Sequence, residues 1–217
     1  SVFEFAVKFF QDSGVAIYFS IAIMAVGLAI AIERFIFLSR ARAENRKLWA
    51  KVLPLLQGGK FKDVLGLASS SDAAIGKIVT NGLERMQSPA RREDIDNAME
   101  EGMMEIVPRL EKRTHYIATL ANVITLVGLL GTIIGLIKGF TAVAAVNPAE
   151  KAELLSASIS IAMNNTAFAL SVAIPFLLIH AFLQARTSEI VDGLEAAKIS
   201  FLNATQRLKA ESAAAAR

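Results

Sequence analysis

Residues 122–140 read NVITLVGLLGTIIGLIKGF, an apolar run that carries no charge until Lys138. Counted from Tyr116, the run is long enough to cross a bilayer at about 1.5 Å per residue. Its glycines recur at steps of three and four and lie on one side of a helix; this glycine stripe comprises Gly128, Gly131, Gly135 and Gly139. In lipid, small residues let helices approach closely. The stretch therefore predicts a membrane-spanning helix that packs tightly through its glycine stripe.

The composition agrees with a membrane protein. The 217 residues are 54% hydrophobic, and the mean hydropathy is +0.48, because the apolar residues are concentrated in three blocks. The formal net charge of +3 is too small to indicate a nucleic-acid-binding protein. The absence of cysteine excludes disulfides and thiolate chemistry, and two distant histidines argue against a metal site. We expect neither a metal nor a cofactor.

The sequence predicts an all-α integral membrane protein with three transmembrane helices and long cytoplasmic helical extensions. The predicted segments are an outside amphipathic segment over 1–13, transmembrane helices over 14–38, 116–140 and 154–183, a cytoplasmic helical region over 39–115, a periplasmic loop over 141–153 and a cytoplasmic helical tail over 184–217.

Several cations follow the first span, namely Arg34, Arg40, Arg42, Arg46 and Lys47. By the positive-inside rule that end is cytoplasmic, so the N-terminus is periplasmic and the C-terminus cytoplasmic. We interpret Glu33-Arg34 as a snorkelling interfacial pair.

Within the polar region, helices are predicted over 41–57, 61–68 and 73–86. Ser88-Pro89 predicts the start of the next helix, and Pro108 is expected to kink it before it runs into the glycine-striped span. This helix holds an acidic cluster comprising Glu93, Asp94, Asp96, Glu100, Glu101 and Glu105. Because cations accompany it, we interpret the cluster as a charge network rather than a cation site.

The third span is unusually polar. Ser158, Asn165 and Thr166 lie on one side of the helix, and a second side holds Ser160, Asn164, Ser171 and Pro175. Buried asparagines are costly in a bilayer unless they meet partners or water. Two interpretations remain open: hydrogen bonds between helices, worth about 0.6 kcal/mol each, or the wall of an ion path. Pro175 requires a neighbour or a local kink to satisfy the carbonyl that it frees.

The sequence resembles the MotA/TolQ/ExbB proton-channel family, in its three-span ExbB/TolQ-like branch. The resemblance rests on Gly128-Leu-Leu-Gly131-Thr132-Ile-Ile-Gly135, on Asn165-Thr166 followed by Ala173-Ile174-Pro175, and on Ile32-Glu33-Arg34-Phe35. It implies a homopentamer in a bacterial inner membrane, surrounding the single-span helices of an ExbD/TolR-like partner with a transmembrane aspartate. A TonB-like or TolA-like protein is a further candidate partner. The implied function is an ion-driven motor, not an enzyme, that powers envelope transport or integrity.

The resemblance also implies roles for individual residues. Thr132 and Thr166 match threonines that line the inner wall near the partner's aspartate, and we expect Asn164 and Asn165 to orient water beside them. Many relatives carry a glutamate early in the third span, where this chain has Ile161. The proton step is therefore expected to depend on the partner. We expect Thr132→Val or Thr166→Val to block energy coupling without preventing assembly.

Two other functions stay open at this point. Hydroxyl and amide oxygens also suit a sodium ion, because hard cations take oxygen ligands. Alternatively, the polar residues join helices in a non-conducting membrane scaffold. A membrane enzyme is disfavoured, because the sequence offers no nucleophile–base pair and no metal set.

Overall fold

The computed structural model describes residues 2–5, 7 and 14–216, and no strand occurs among them. Six helices follow Gly14: α1 (Ala16–Gln57), α2 (Phe61–Ser69), α3 (Ala74–Met86), α4 (Arg92–Glu111), α5 (Thr114–Ala144) and α6 (Pro148–Ala215). α1, α5 and α6 each contain a stretch long and apolar enough to cross a membrane. The predicted all-α architecture with three spans and long helical extensions is thus confirmed. Most of the predicted amphipathic segment over 1–13 lies outside the described residues.

The chain divides into two compact units. The apolar unit comprises Ser1–Arg34 and Arg113–Phe182, and so contains the glycine-striped helix and the first part of α6. The polar unit comprises Phe35–Lys112 and Leu183–Arg217, and contains α2, α3 and α4.

In the apolar unit the glycine stripe of α5 packs directly on α6. A β-carbon added to Gly128 would overlap Ala169, one added to Gly139 would overlap Ser158, and one added to Gly135 would lie 3.2 Å from the Ala162 Cβ. The paired numbers run in opposite directions along the two helices, so α5 and α6 are antiparallel neighbours. Their backbones approach as closely as the small residues allow.

The first helix joins this pair through two further glycines. A β-carbon on Gly131 would lie 2.8 Å from the Ala16 Cβ, so α1 meets α5 at that point. One on Gly27 would overlap the ring of Phe176, which is 2% exposed and packs against the backbone of α1. Gly27 stands alone in its helix and gave no periodic signal in the sequence.

The polar unit has a conventional hydrophobic core. Fully buried side chains from α1, α3, α4 and α6 meet there, among them Leu56, Ile78, Met99 and Phe201. Asn45 of α1 is also buried, and its Oδ1 accepts a hydrogen bond of 3.1 Å from the Ile75 N–H in the first turn of α3. Because the first turn of a helix has N–H groups without intrahelical partners, this contact caps α3 from a different helix.

The predicted start of α4 and its predicted continuation into α5 are wrong. The helix begins at Arg92 instead of after Ser88-Pro89, because the Arg91 N–H donates to the Asp94 carboxylate at 2.8 Å and so forms a cap further along the chain. Pro108 lies inside α4, and the interruption follows it: Arg113 adopts a left-handed conformation with φ 65° before α5 begins.

The predicted loop over 141–153 is also largely helical. α5 continues to Ala144 and α6 starts at Pro148, so only residues 145–147 lie outside the two helices. The start at Pro148 agrees with the Asn147-Pro148 start signal. Hydropathy set the predicted limits of the loop, and polar residues can extend a helix beyond its apolar part.

The acidic cluster of α4 forms ion pairs with neighbouring helices. Lys198 of α6 lies 3.2 Å from Asp96 and 2.5 Å from Glu100, and Lys77 of α3 pairs with Glu105. Burial lowers the pKa of Lys198, but its hydrogen bonds to Glu100 and Asp96 outweigh this effect, so the pKa is raised overall. The cluster therefore joins helices of the polar unit.

We expect Lys198→Met to lower the stability of the chain by up to about 1 kcal/mol, because both carboxylates are partly exposed. Since the folded-state pKa of Lys198 is raised, its stabilisation is fully present below the unfolded value of about 10.4 and is lost as the pH rises through the folded value. Thermal unfolding in detergent at pH 8 and above pH 11 measures this difference. Lys209→Met, on an exposed lysine of α6, is the control. Equal effects of the two substitutions at pH 8 would contradict the prediction.

We expect Gly128→Ala to destabilise the chain by about 1–3 kcal/mol, because the added methyl group must push α5 away from α6. Gly66→Ala is the matched control: a β-carbon there meets nothing within 4 Å, so it should stabilise α2 by about 0.5–1 kcal/mol. Melting temperatures of both variants in one detergent measure the contrast. Equal shifts would show that the glycine stripe does not depend on close packing.

Candidate ion-path site

The hydroxyl groups of Thr132 and Thr166 meet where α5 packs on α6. The two Oγ1 atoms are hydrogen-bonded to each other, and both side chains are half-buried. The Thr132 Oγ1 lies 3.1 Å from the carbonyl oxygen of Gly128 and 3.0 Å from that of Ala162. The Thr166 Oγ1 lies 3.2 Å from the same Gly128 oxygen. Four oxygens of two helices therefore converge at one point.

The hydroxyl pair can be fully hydrogen-bonded in more than one way. Each hydroxyl has one proton to donate and two lone pairs to accept. Thr166 can donate to Thr132 while Thr132 donates to the Ala162 carbonyl, or Thr132 can donate to Thr166 while Thr166 donates to the Gly128 carbonyl. The two patterns differ only in where the protons point. Such a pair can orient water or relay a proton, but a threonine hydroxyl cannot store one at neutral pH.

The two neighbouring asparagines of α6 lie in different surroundings. Asn165 is 5% exposed, and its Oδ1 is buried without a hydrogen-bond partner among the described residues. It lines a cavity of about 510 Å³ together with parts of α1 and α5, including Gly131 and Lys138. Asn164 is only half-buried and lies about 100° further around the helix. Asn165 thus lies beside the threonine pair, and Asn164 does not share its cavity.

The second polar side of α6 remains at the surface of the chain. Ser160, Ser171 and Pro175 are exposed, and the Ser171 hydroxyl donates to the Ala167 carbonyl of its own helix at 2.7 Å. Pro175 lies within the uninterrupted span of α6. The opposite side of the same helix is buried against α1 and α5 through residues such as Ala162 and Ala169. One side of α6 therefore packs within the chain, and the other is available to a second molecule.

Ile161 is half-buried and lines the same cavity as Asn165. It stands where many relatives were expected to carry a glutamate. No aspartate or glutamate occurs in 116–140 or in 154–183. The site therefore offers hydroxyl, amide and carbonyl groups but no carboxylate.

Glu33 and Arg34, at the end of the first span, do not form the snorkelling interfacial pair that the sequence predicted. Arg34 is 3% exposed, so it does not extend into a head-group region. Its guanidinium donates to both carboxylate oxygens of Glu33 at 2.7 Å, and Glu33 also lies 3.5 Å from Arg113. Glu33 therefore joins α1 to the residue that precedes α5. The sequence contained no signal for this contact, because the two helices are distant along the chain.

Comparisons with known proteins agree with this architecture. The family model described as the MotA/TolQ/ExbB proton channel family matches residues 70–196. The chain is 24% identical over 198 residues to an ExbB homolog of Methanothermobacter thermautotrophicus named for biopolymer transport, covering 90% of this chain and 69% of the relative. It is 28% identical over 154 residues to an ExbB-like protein of Synechocystis, also named for biopolymer transport, covering 70% of this chain and 72% of the relative.

The matched region contains the glycine stripe, both threonines of the hydroxyl pair and the two asparagines of α6. It covers more than half of the chain, and it includes the second-span and third-span motifs of the resemblance, whereas Ile32-Glu33-Arg34-Phe35 lies outside it. The chain belongs to the MotA/TolQ/ExbB proton channel family.

Proposed function

We propose that this chain is the ring-forming subunit of an ion-driven motor in a bacterial inner membrane. In this proposal five copies surround an ExbD/TolR-like partner that carries a transmembrane aspartate. The assembly converts a proton-motive force into mechanical work for envelope transport or integrity, and the chain itself catalyses no reaction. Membership of the family and the names of both relatives support a motor-type subunit. The partner, the stoichiometry and the process that is powered belong to the proposal.

The observation that carries the proposal is the hydroxyl pair of Thr132 and Thr166. In this pair a hydroxyl of α5 is hydrogen-bonded to a hydroxyl of α6, within a contact built around the glycine stripe. Since neither span holds a carboxylate, we expect the partner to carry the proton. A partner aspartate placed against the pair would find hydroxyls able to donate to its charged form and accept from its protonated form.

The surface of α6 supports an assembly. Ser160, Asn164 and Ser171 lie on its second polar side, and two of these three side chains are exposed in the single chain. Polar groups in a bilayer are stabilised by partners or by water, and not by lipid chains. We propose that neighbouring copies and a water-containing lumen cover this side, with Asn164 and Asn165 acting on water from different directions.

A sodium-driven motor is the second candidate, and the convergence of oxygens favours it. Two hydroxyl and two carbonyl oxygens meet between α5 and α6, and hard cations take such ligands. To bind an ion, these groups would exchange their present hydrogen bonds for coordination. The same contacts also suit a non-conducting scaffold, in which the hydroxyls only join the helices.

Ion flux in liposomes tests these alternatives. The chain is reconstituted alone and with a one-span partner that carries a transmembrane aspartate, under separate proton and sodium gradients. We expect flux only with the partner, only under the proton gradient, and at least tenfold lower with Thr166→Val. Thr141→Val is the control, because its hydroxyl is exposed and bonds only to the Ile137 carbonyl of its own helix. Flux under the sodium gradient alone would establish the second candidate. Absence of flux under either gradient would favour the scaffold.

A double-mutant cycle measures how strongly Thr132 and Thr166 depend on each other in stabilising the chain. Thr132→Val and Thr166→Val each remove one member of the hydroxyl pair, so their effects on stability should be non-additive by about 0.5–1.7 kcal/mol. Thermal unfolding of the two single variants and the double variant in detergent measures the coupling. Simple additivity would contradict the hydrogen bond between the hydroxyls. Coupling in stability, together with normal partner-dependent flux in both single variants, would limit the pair to helix packing.

A further inference from the structure

A basic pocket lies in the polar unit where α1 and α6 leave their apolar stretches. Its volume is about 560 Å³, and its lining includes Phe35, Leu38, Arg42, Arg46, Lys47 and Arg186. The motor proposal uses none of these residues. In the sequence, Arg42, Arg46 and Lys47 indicated only the orientation of the chain in the membrane.

The pocket has a large excess of positive charge. Glu189 forms ion pairs with two of the cations that line the pocket. Its carboxylate lies 2.6 Å from Arg42 and 3.1 Å from Arg186. Arg46 and Lys47 form no ion pair with any of the described residues. Four cations around one small volume repel one another unless an anion is present, so the pocket is complementary to a negatively charged ligand.

The cations come from two helices that are distant in sequence. Arg42, Arg46 and Lys47 belong to α1, whereas Arg186 belongs to α6. Cations that only set membrane orientation need to lie near a span, but they need not converge. Here three residues from two adjacent turns of one helix and one residue of another surround the same space. Cations from two helices that converge on one pocket are typical of an anion-binding site.

One wall of the pocket is apolar and adjoins the first span. Phe35 and Leu38 belong to a short apolar stretch, 35–38, that follows Glu33-Arg34 at the end of the predicted first span. The three cations of α1 come after this stretch along the helix. The Phe35 side chain is 53% exposed. A free inorganic anion would leave such a surface in water, whereas a phospholipid would cover it with the first part of an acyl chain.

We propose that this pocket binds the phosphate head group of an anionic phospholipid. The guanidinium and ammonium groups hold the phosphate, since Arg forms strong charge-assisted hydrogen bonds with phosphate oxygens, and the acyl chains follow Phe35 towards the bilayer. Basic pockets between membrane helices suit lipid head groups for the same reason. The proposal requires only that α1 and α6 cross a membrane, and it is independent of ion flow.

Lipid binding to the full chain tests the proposal. The chain is purified in a neutral detergent and titrated with dioleoyl phosphatidylglycerol or dioleoyl phosphatidylcholine, and bound lipid is counted by native mass spectrometry. We expect about tenfold tighter binding of phosphatidylglycerol. The double variant Arg46→Gln/Lys47→Gln should weaken it by about tenfold, since each cation near an anionic lipid contributes a several-fold effect. The control is Lys60→Gln/Lys62→Gln, which removes the same charge from exposed lysines outside the pocket and should leave binding unchanged.

Three outcomes would overturn the proposal. Equal binding of the two lipids would remove the role of head-group charge, and equal loss in the control variant would reduce the effect to net charge. Displacement of phosphatidylglycerol by millimolar glycerol phosphate would identify a site for a soluble phosphate ester instead of a lipid. Ion flux does not enter any of these measurements, so failure here leaves the motor proposal intact.

Discussion

The close contact between α5 and α6 is the constraint on which the rest of the apolar unit depends. Gly128 and Gly139 lie so close to Ala169 and Ser158 that neither glycine can take a side chain without movement of a helix. Helices in lipid gain little from burying apolar surface, because lipid chains are equally apolar, so association depends on close packing and a few polar contacts. Both occur in this contact. The hydroxyl groups of Thr132 and Thr166 reach each other only because the glycines bring the two backbones together.

A second constraint acts at the start of α5. Arg113 is not glycine, and a left-handed conformation costs such a residue about 1–2 kcal/mol. Its guanidinium lies 3.5 Å from Glu33, which also accepts two hydrogen bonds from the buried Arg34. We infer that this carboxylate helps to offset the strain. The turn at Arg113 separates α4 from α5, so the glycine-striped helix begins beside a charged contact.

The sequence predicted features that depend on spacing within one helix and missed those that depend on contact between helices. Steps of three and four identified the glycine stripe, and the helix predicted over 41–57 ends at Gln57, before Gly58-Gly59. Gly27 was missed, because a single glycine has no period and its importance lies in the ring of Phe176. Asn45 caps a helix 30 residues away, so no local motif could identify it.

The same distinction explains the outcome at the candidate site. Adjacent residues of a helix point about 100° apart, so Asn164 and Asn165 were certain to diverge, but the sequence alone could not say which one faces the chain's interior. The predicted start of α4 was wrong because a contact between side chain and backbone decides where the helix begins. Ser88-Pro89 is a sound start signal, yet the Asp94 side chain reaches back to Arg91 and caps the helix at that residue instead.

The two sides of α6 differ in a way that supports the proposed assembly. Its inner side is buried within the chain. Small residues there pack on the glycine stripe, and Asn165 lines the cavity that parts of α1 and α5 also line. Its outer side holds Ser160 and Ser171, in a stretch without Asp, Glu, Lys or Arg that runs from Glu153 to Arg186. A purely structural helix would gain from apolar residues on a lipid-facing side. The Ser171 hydroxyl bonds to its own helix, but further stabilisation of polar groups there requires another molecule or water, and the proposed ring of identical chains around a water-containing lumen would provide both. The hydroxyl pair, half-buried beside this side, then lies between the packed interior and the proposed lumen, where a partner's acidic group could reach it.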